Sequence, residues 1–249
     1  MSDLGRLIHR STDAEGEIHV YQDAQFRYLT FGNAVEQSCL DLANPSRLEH
    51  VYTQAMMLAP LLVEDARRLL LLGLGGASLA RALRAAGRGL RIVGVEHRAA
   101  VIEVAGTHFR LPDDRRFLAV CSDAEAYLRQ PGEAFDLVFA DLYHAEGMFP
   151  GQATEAFLSA CRERLSDSGT LVVNRWASEY QAHRSASEAL AVVFDEQVLS
   201  LHVQGGNIID FAFRSELPVL RRDVFFCRGT VAWPEARDTA AASRTQPVE

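Results

Sequence analysis

The chain has little of what would tie it to a membrane, a secretory route, a metal or a nucleic acid. No apolar run in its 249 residues approaches the roughly 18 needed to span a bilayer, so no membrane partner is expected. No basic stretch leads into an apolar segment after Met1, so no secretory signal is expected and the cytoplasm is the expected compartment. The four cysteines, Cys39, Cys121, Cys161 and Cys227, form no Cys-x-x-Cys pair. They supply neither a zinc site nor a disulfide framework, and no metal is expected. Lys and Arg together number 25 against 33 Asp and Glu, a formal net charge of −8. Without clustered cations to neutralise phosphates, no nucleic-acid partner is expected. The same balance suits a cationic substrate.

What is present is an ordinary globular composition, 48% apolar and 23% charged, on a chain long enough for one large domain and a small appendage. Residues 17–42 alternate in short segments, Ile18-His19-Val20-Tyr21 and Phe26-Arg27-Tyr28-Leu29-Thr30-Phe31, which predict a small antiparallel hairpin unit. From Pro45 the spacing of Leu48, Val51, Tyr52, Ala55, Met56 and Ala59 becomes helical, until Pro60 interrupts it. Strands then alternate with helices. The strands are Arg67–Leu72, Leu90–Val95, Phe117–Cys121, Phe135–Ala140 and Gly169–Asn174, and the order β-α-β predicts a doubly wound, mostly parallel α/β sheet covered on both faces. After a helix near Ala177–Phe194, Glu196–Val203 and Asn207–Phe213 are joined by Gly205-Gly206 and predict an antiparallel closing hairpin. Three segments follow: 1–65, the hairpin unit and linking helix; 66–231, a Rossmann-like ligand-binding catalytic domain; and 232–249, small and polar without periodicity, a disordered tail.

The chemistry-bearing residues sit where the parallel strands end. Gly73-Leu74-Gly75-Gly76 follows the first of these strands and opens a helix, which lets a ligand approach the backbone where a side chain would obstruct it. Ser78 stands where the third glycine of a dinucleotide fingerprint would fall, so a nucleoside suits the turn better than a pyrophosphate. Glu96 ends the next strand, 23 positions after Gly73, where a carboxylate can accept hydrogen bonds from both ribose hydroxyls. Asp123 follows the third strand; it faces the base or caps the helix beginning at Ala124, and both roles are compatible. Asp141 closes the apolar Phe135–Ala140 strand beside the reacting end of any ligand in the crevice, and is the first candidate for a catalytic base. The stretch after it, Leu142 to Phe149, mixes aromatic, ionisable and flexible residues and includes Tyr143 and His144.

The series Gly73-Leu74-Gly75-Gly76, Val95-Glu96, Asp123-Ala124, Phe135 to Asp141 and Gly205-Gly206 resembles the spermidine synthases, the polyamine aminopropyltransferases, over most of residues 17–213. Gln37 and Tyr52 match positions where that family contacts its ligands. The resemblance implies a seven-stranded methyltransferase-like core, usually in a homodimer. It also implies transfer of the aminopropyl group of decarboxylated S-adenosylmethionine to putrescine or a similar amine. In this reading Glu96 holds the ribose, Asp123 with Ala124 the adenine, Gln37, Gly73, Gly75 and Gly76 contribute to the cofactor site, Tyr52, Tyr143 and His144 meet the amine, and Asp141 orients and deprotonates it. The chain departs from the family where Gly76 or Ala77 replaces an acid that grips the aminopropyl amine, where His144 replaces a second acid, and where Thr53 replaces a histidine. Two alternatives stay open: an S-adenosylmethionine-dependent methyltransferase on the same core, and a non-catalytic protein that binds adenosyl ligands.

Overall fold

The alternating N-terminal segments pair into an antiparallel meander in the order β1-β2-β3-β4, with β1 at Arg6–Asp13, β2 at Gly16–Gln22, β3 at Phe26–Thr30 and β4 at Glu36–Asp41. Period-2 alternation turns Ile18 and Val20 of β2 fully into the core and leaves their neighbours half-buried. The expected hairpin unit is therefore a four-stranded sheet. Its first strand carries no apolar alternation and pairs with β2 through a bulge between Leu7 and His9, which is why residues 6–13 do not read as a strand. The structure is a computed structural model that describes residues 4–218 except 34, 64, 88, 146 and 177–179, with the backbone alone at 180–183. Cys227, residues 219–231 and the expected tail at 232–249 lie outside the described residues, and residues 4–217 belong to one compact unit.

The linking segment differs from the single helix expected. It forms α1 at Val51–Met56 and α2 at Ala59–Leu62, and Pro60 opens α2 instead of ending α1. A proline fits the first turn of a helix, because the amide it lacks would have no intrahelical acceptor there.

The α/β part runs β5 (Arg68–Leu72), α3 (Ser78–Ala85), β6 (Arg91–Glu96), α4 (Ala99–His108), β7 (Phe117–Cys121), α5 (Ala124–Arg129) and β8 (Phe135–Ala140). A two-stranded excursion, β9 (Tyr143–His144) with β10 (Gly147–Met148), follows. Then come a 3-10 turn at Pro150–Ala153, α6 (Glu155–Glu163), β11 (Leu165–Trp176), α7 (Tyr180–Val193), β12 (Val198–His202) and β13 (Asn207–Phe213). Seven strands form one sheet in the order β12-β13-β11-β8-β5-β6-β7. Its five strands β5, β6, β7, β8 and β11 are parallel, while β13 and β12 add as an antiparallel hairpin through Gly205 and Gly206, both at positive φ. This is the doubly wound α/β fold with a methyltransferase-like closing hairpin.

Alternate residues of the central strands feed cores on opposite faces. Leu69, Leu71, Leu137 and Phe139 join one, while Leu70, Leu72, Val138 and Ala140 join the other, as a parallel sheet covered by helices requires. A third cluster, in which Ile18, Val20, Leu29 and Leu40 meet Val101, Val104 and Phe109, fastens the N-terminal sheet to α4. A bidentate pair adds to it: Arg98 donates from Nε (2.9 Å) and Nη2 (2.8 Å) to Asp13 of β1. Among the described residues no helix is long and apolar enough to cross a membrane.

The closing hairpin is pinned by a buried ion pair. Asp210 of β13 accepts Nε and Nη2 of Arg175 on β11 and the hydroxyl of Ser200 on β12, and the two charged side chains are 0% and 3% exposed. Removing one partner leaves a buried charge uncompensated, so Asp210→Ala is expected to cost about 3–5 kcal/mol in denaturant unfolding. A double variant, Arg175→Met with Asp210→Leu, is expected to lose less than Asp210→Ala alone; an additive loss would show that the charges are not coupled.

Candidate active site

Register in the parallel sheet decides what meets at its carboxyl edge. Leu72, the last residue of β5, pairs with Val95 on one side and Ala140 on the other, so Gly73, Glu96 and Asp141 emerge side by side. Backbone bonds continue this alignment past the strands: Gly73 donates to Val95 O (2.9 Å) and Asp141 donates to Leu72 O (3.0 Å). Gly73 sits at φ +90°, and a Cβ there would fall 2.2 Å from the carbonyl oxygen of Asp141. Only glycine allows these two strand ends to lie this close.

A cavity of about 750 Å³ opens over this edge. It is lined by Gln37, Tyr52, Gly73, Gly75, Glu96, Asp123, Ala124, Asp141, Tyr143 and His144, every residue singled out from the sequence except one. Gly76 is buried behind the turn. Its amide donates to Ser38 Oγ of β4 (2.8 Å), and a Cβ at this position would meet Ser38 Cβ at 2.7 Å and Phe109 at 3.1 Å. An acidic side chain has no room there. Ala77, also buried, takes the left-handed conformation (φ 58°) that starts α3.

Glu96 is buried and heavily hydrogen-bonded. Its Oε2 accepts the amides of Leu74 (3.2 Å) and Gly75 (3.4 Å), and its Oε1 accepts that of Arg98 (3.1 Å) and lies 3.1 Å from His97 Nδ1. Burial pushes its carboxyl up, yet the His97 ring and the amides outweigh burial and hold it below the usual range. The carboxylate is thus fixed in the ionised, accepting form at the turn. Asp123 caps α5, its Oδ1 accepting the amide of Ala126 at 2.8 Å, while the same residue lines the cavity.

Asp141 stands in a different environment. Burial raises its carboxyl above the ordinary aspartate range, although Asn174 donates from Nδ2 to Oδ1 (2.8 Å). Asn174 is itself held: its Oδ1 accepts Asn207 Nδ2 (2.9 Å) and its backbone carbonyl accepts Gln152 Nε2 (2.8 Å). Gln152 also takes the amide of Leu142 through its side-chain oxygen (3.1 Å) and is fully buried. Sequence reasoning missed Asn174, Asn207 and Gln152. Asn174 had a signal, a polar residue closing an apolar strand on the same edge as Asp141; the other two come from separate elements and had none. It also missed Glu36 and His50, whose Oε1 and Nε2 lie 2.7 Å apart within the same cavity wall. The His50 ring stacks on that of Tyr52, centroids 5.5 Å apart and planes 14° apart.

His144 lies on the cavity wall with its ring edge-on to those of His97 (5.6 Å) and Phe149 (5.5 Å). Glu15, His97 and His144 bring one potential metal-ligating atom each within 4.8 Å of one another. His97, however, spends both ring nitrogens on carboxylates, Nδ1 on Glu96 and Nε2 on Glu15 at 2.5 Å, so an ion-pair chain accounts for the group. The hydrogen bond to Glu96 is the main cause that lifts the His97 imidazole to about 9.

The seven-stranded sheet and its helices define a protein of the methyltransferase-like α/β class. No protein-family model matches the chain. Among curated proteins it is 29% identical to a polyamine aminopropyltransferase of Chromobacterium violaceum over 216 residues, covering 86% of this chain and 82% of that one. It is 30% identical to the polyamine aminopropyltransferase of Neisseria meningitidis over 203 residues, 80% of this chain and 76% of that one. The chain belongs to the polyamine aminopropyltransferase, or spermidine synthase, family and is a transferase. Solved structures share its fold: a probable spermidine synthase of Corynebacterium glutamicum at TM-score 0.73 and 19% identity, covering 86% of this chain and 81% of that one. Human methyltransferase-like protein 13, solved with SAH, matches at TM-score 0.60 and 21% identity, over 70% and 86% of the two chains.

Two outcomes follow from the geometry. Gly73→Ala pushes a methyl group into the Asp141 carbonyl, so the variant is expected to unfold at a lower temperature than the wild type; an unchanged melting temperature would refute the close approach. The imidazole of His97 titrates higher in the folded chain than the ordinary 6.5. Its stabilisation is therefore fully present below about pH 6.5 and lost as pH rises through about 9. Thermal melts should decline across that window in the wild type and decline less in His97→Gln; equal declines would refute the assignment.

Proposed function

We propose that the protein transfers the aminopropyl group of decarboxylated S-adenosylmethionine to an alkyl amine. The observation that carries this reading is the carboxylate of Asp141, raised by burial and held by Asn174, in a cavity lined as well by the glycine turn and an ionised Glu96. The residues fit an adenosyl ligand. Gly73 and Gly75 leave the backbone open, Glu96 presents acceptors for ribose hydroxyls, and Asp123 and Ala124 at the start of α5 face the base. Gln37 completes the nucleoside wall, and Tyr52, Tyr143 and His144 border the amine end.

The chemistry needs one proton removed. An alkylammonium has a pKa of about 10 and is no nucleophile, so Asp141 takes its proton while Asn174 fixes the carboxylate in place. The freed amine attacks the carbon next to the sulfonium; a C–N bond forms, the C–S bond breaks, and its electron pair neutralises sulfur in the departing methylthioadenosine. The sulfonium supplies the leaving-group activation. A raised carboxyl is a stronger base than an ordinary aspartate, which suits this role. We infer the family's setting as well, a homodimer in the cytoplasm.

A second reading, S-adenosylmethionine-dependent methyl transfer, is favoured by one observation: the Ser38 side chain packed on Gly76 leaves no room for a carboxylate at position 76 of the turn. One experiment separates the two. Purified protein with decarboxylated S-adenosylmethionine and a panel of amines is expected to release methylthioadenosine, and Asp141→Asn is expected to slow release about 100- to 10,000-fold while binding methylthioadenosine as before. Tighter calorimetric binding of S-adenosylmethionine than of its decarboxylated form, with no release from any amine, would favour methyl transfer instead.

A further inference from the structure

An alkyl diamine that gives up one proton to Asp141 still carries a second ammonium. Enclosing that charge without a partner costs several kcal/mol, so a diamine site must show a carboxylate to receive it. Among the described residues four carboxylates line the cavity: Glu36, Glu96, Asp123 and Asp141. Three are committed. Glu96 accepts three backbone amides and the His97 ring, Asp123 caps α5, and Asp141 accepts Asn174 and takes the transferred proton. Positions 76 and 144, the glycine turn and the loop after Asp141, carry glycine and histidine.

Glu36 differs from the other three. It belongs to the N-terminal sheet, on β4, and its Oε1 is 2.7 Å from Nε2 of His50 at the start of α1. His50 Nε2 engages Oε1 and leaves Oε2 to act as an acceptor. Stacking of His50 on Tyr52 fixes the donor ring. Tyr52, stacked on His50, shares the cavity wall with both Glu36 and Asp141.

We propose, resting on the aminopropyl-transfer reading, that Glu36, positioned by His50, is the ammonium-binding group of this cavity and makes the protein select diamines over monoamines of equal length. The charge that recognises the remote amine thus comes from the N-terminal sheet.

The test is calorimetric binding of 1,4-diaminobutane and 1-aminobutane to the full chain saturated with methylthioadenosine, with turnover measured in parallel. Wild type is expected to bind the diamine more tightly, and Glu36→Gln to lose about 10- to 100-fold in diamine affinity with the monoamine unchanged. Glu36→Asp should keep part of the preference, and unchanged methylthioadenosine affinity shows that both variants are folded. Loss of diamine preference in Glu36→Gln without any wild-type turnover would support the ammonium site and overturn the transfer reading. Turnover with the diamine preference intact in Glu36→Gln would overturn the site and leave the transfer reading standing. Absence of diamine binding by the wild type would overturn the site outright.

Discussion

The backbone of β5 leaves the sheet at Gly73 with the Asp141 carbonyl so close that a single methyl group would fill the space between them. Everything at the carboxyl edge is built on that proximity. The parallel register brings Leu72, Val95 and Ala140 into line, and the residues that follow inherit the alignment. Gly73 keeps the turn tight, so the amides of Leu74 and Gly75 point at Glu96 and the Asp141 carboxyl faces the same cavity. A looser turn would move Glu96 and Asp141 apart.

The two carboxylates are driven in opposite directions by their surroundings. Glu96 is the more buried, yet donors on both oxygens keep it ionised. Asp141 has one donor, Asn174, and burial raises it. The number of hydrogen bonds each receives thus sets two groups of the same kind apart, one held below the ordinary carboxylate range and one raised above it. The Asn207–Asn174–Asp141 chain adds direction, because Asn174 holds Oδ1 of Asp141 and so fixes which way Oδ2 is presented.

Much of this was legible in the sequence. Gly73, Glu96, Asp123 and Asp141 each end an apolar strand, and strand ends in an alternating β-α pattern are local features that converge by topology alone. The doubly wound sheet and its closing hairpin were readable for the same reason. β1 was not, because Arg6–Asp13 has no apolar alternation and becomes a strand only by pairing with β2. Pro60 was read as a stop because spacing alone does not tell the last turn of one helix from the first of the next. The turning of Gly76 away from the cavity depends on Ser38, 38 residues earlier. Glu36 and His50 meet across 14 residues, and Asn174 and Asn207 across 33, so neither pair leaves a periodic trace.

The packing at Gly76 also bears on where amine recognition can lie. Ser38 and Phe109 occupy the space that a side chain at position 76 would need, so a carboxylate could return there only if β4 or α4 withdrew. Both are anchored, α4 through Arg98 to Asp13 and through the Phe109 carbonyl to Arg81 of α3, and β4 through the Cys39 carbonyl, which accepts the hydroxyl of Ser78. The N-terminal sheet, usually read as an appendage to such a core, therefore closes off one recognition position with Ser38 while presenting Glu36 and Gln37 to the cavity from the same strand. Ser38 against the glycine turn and Glu36 in the cavity wall are two consequences of the placement of one strand, and a mutation that loosened β4 would disturb both.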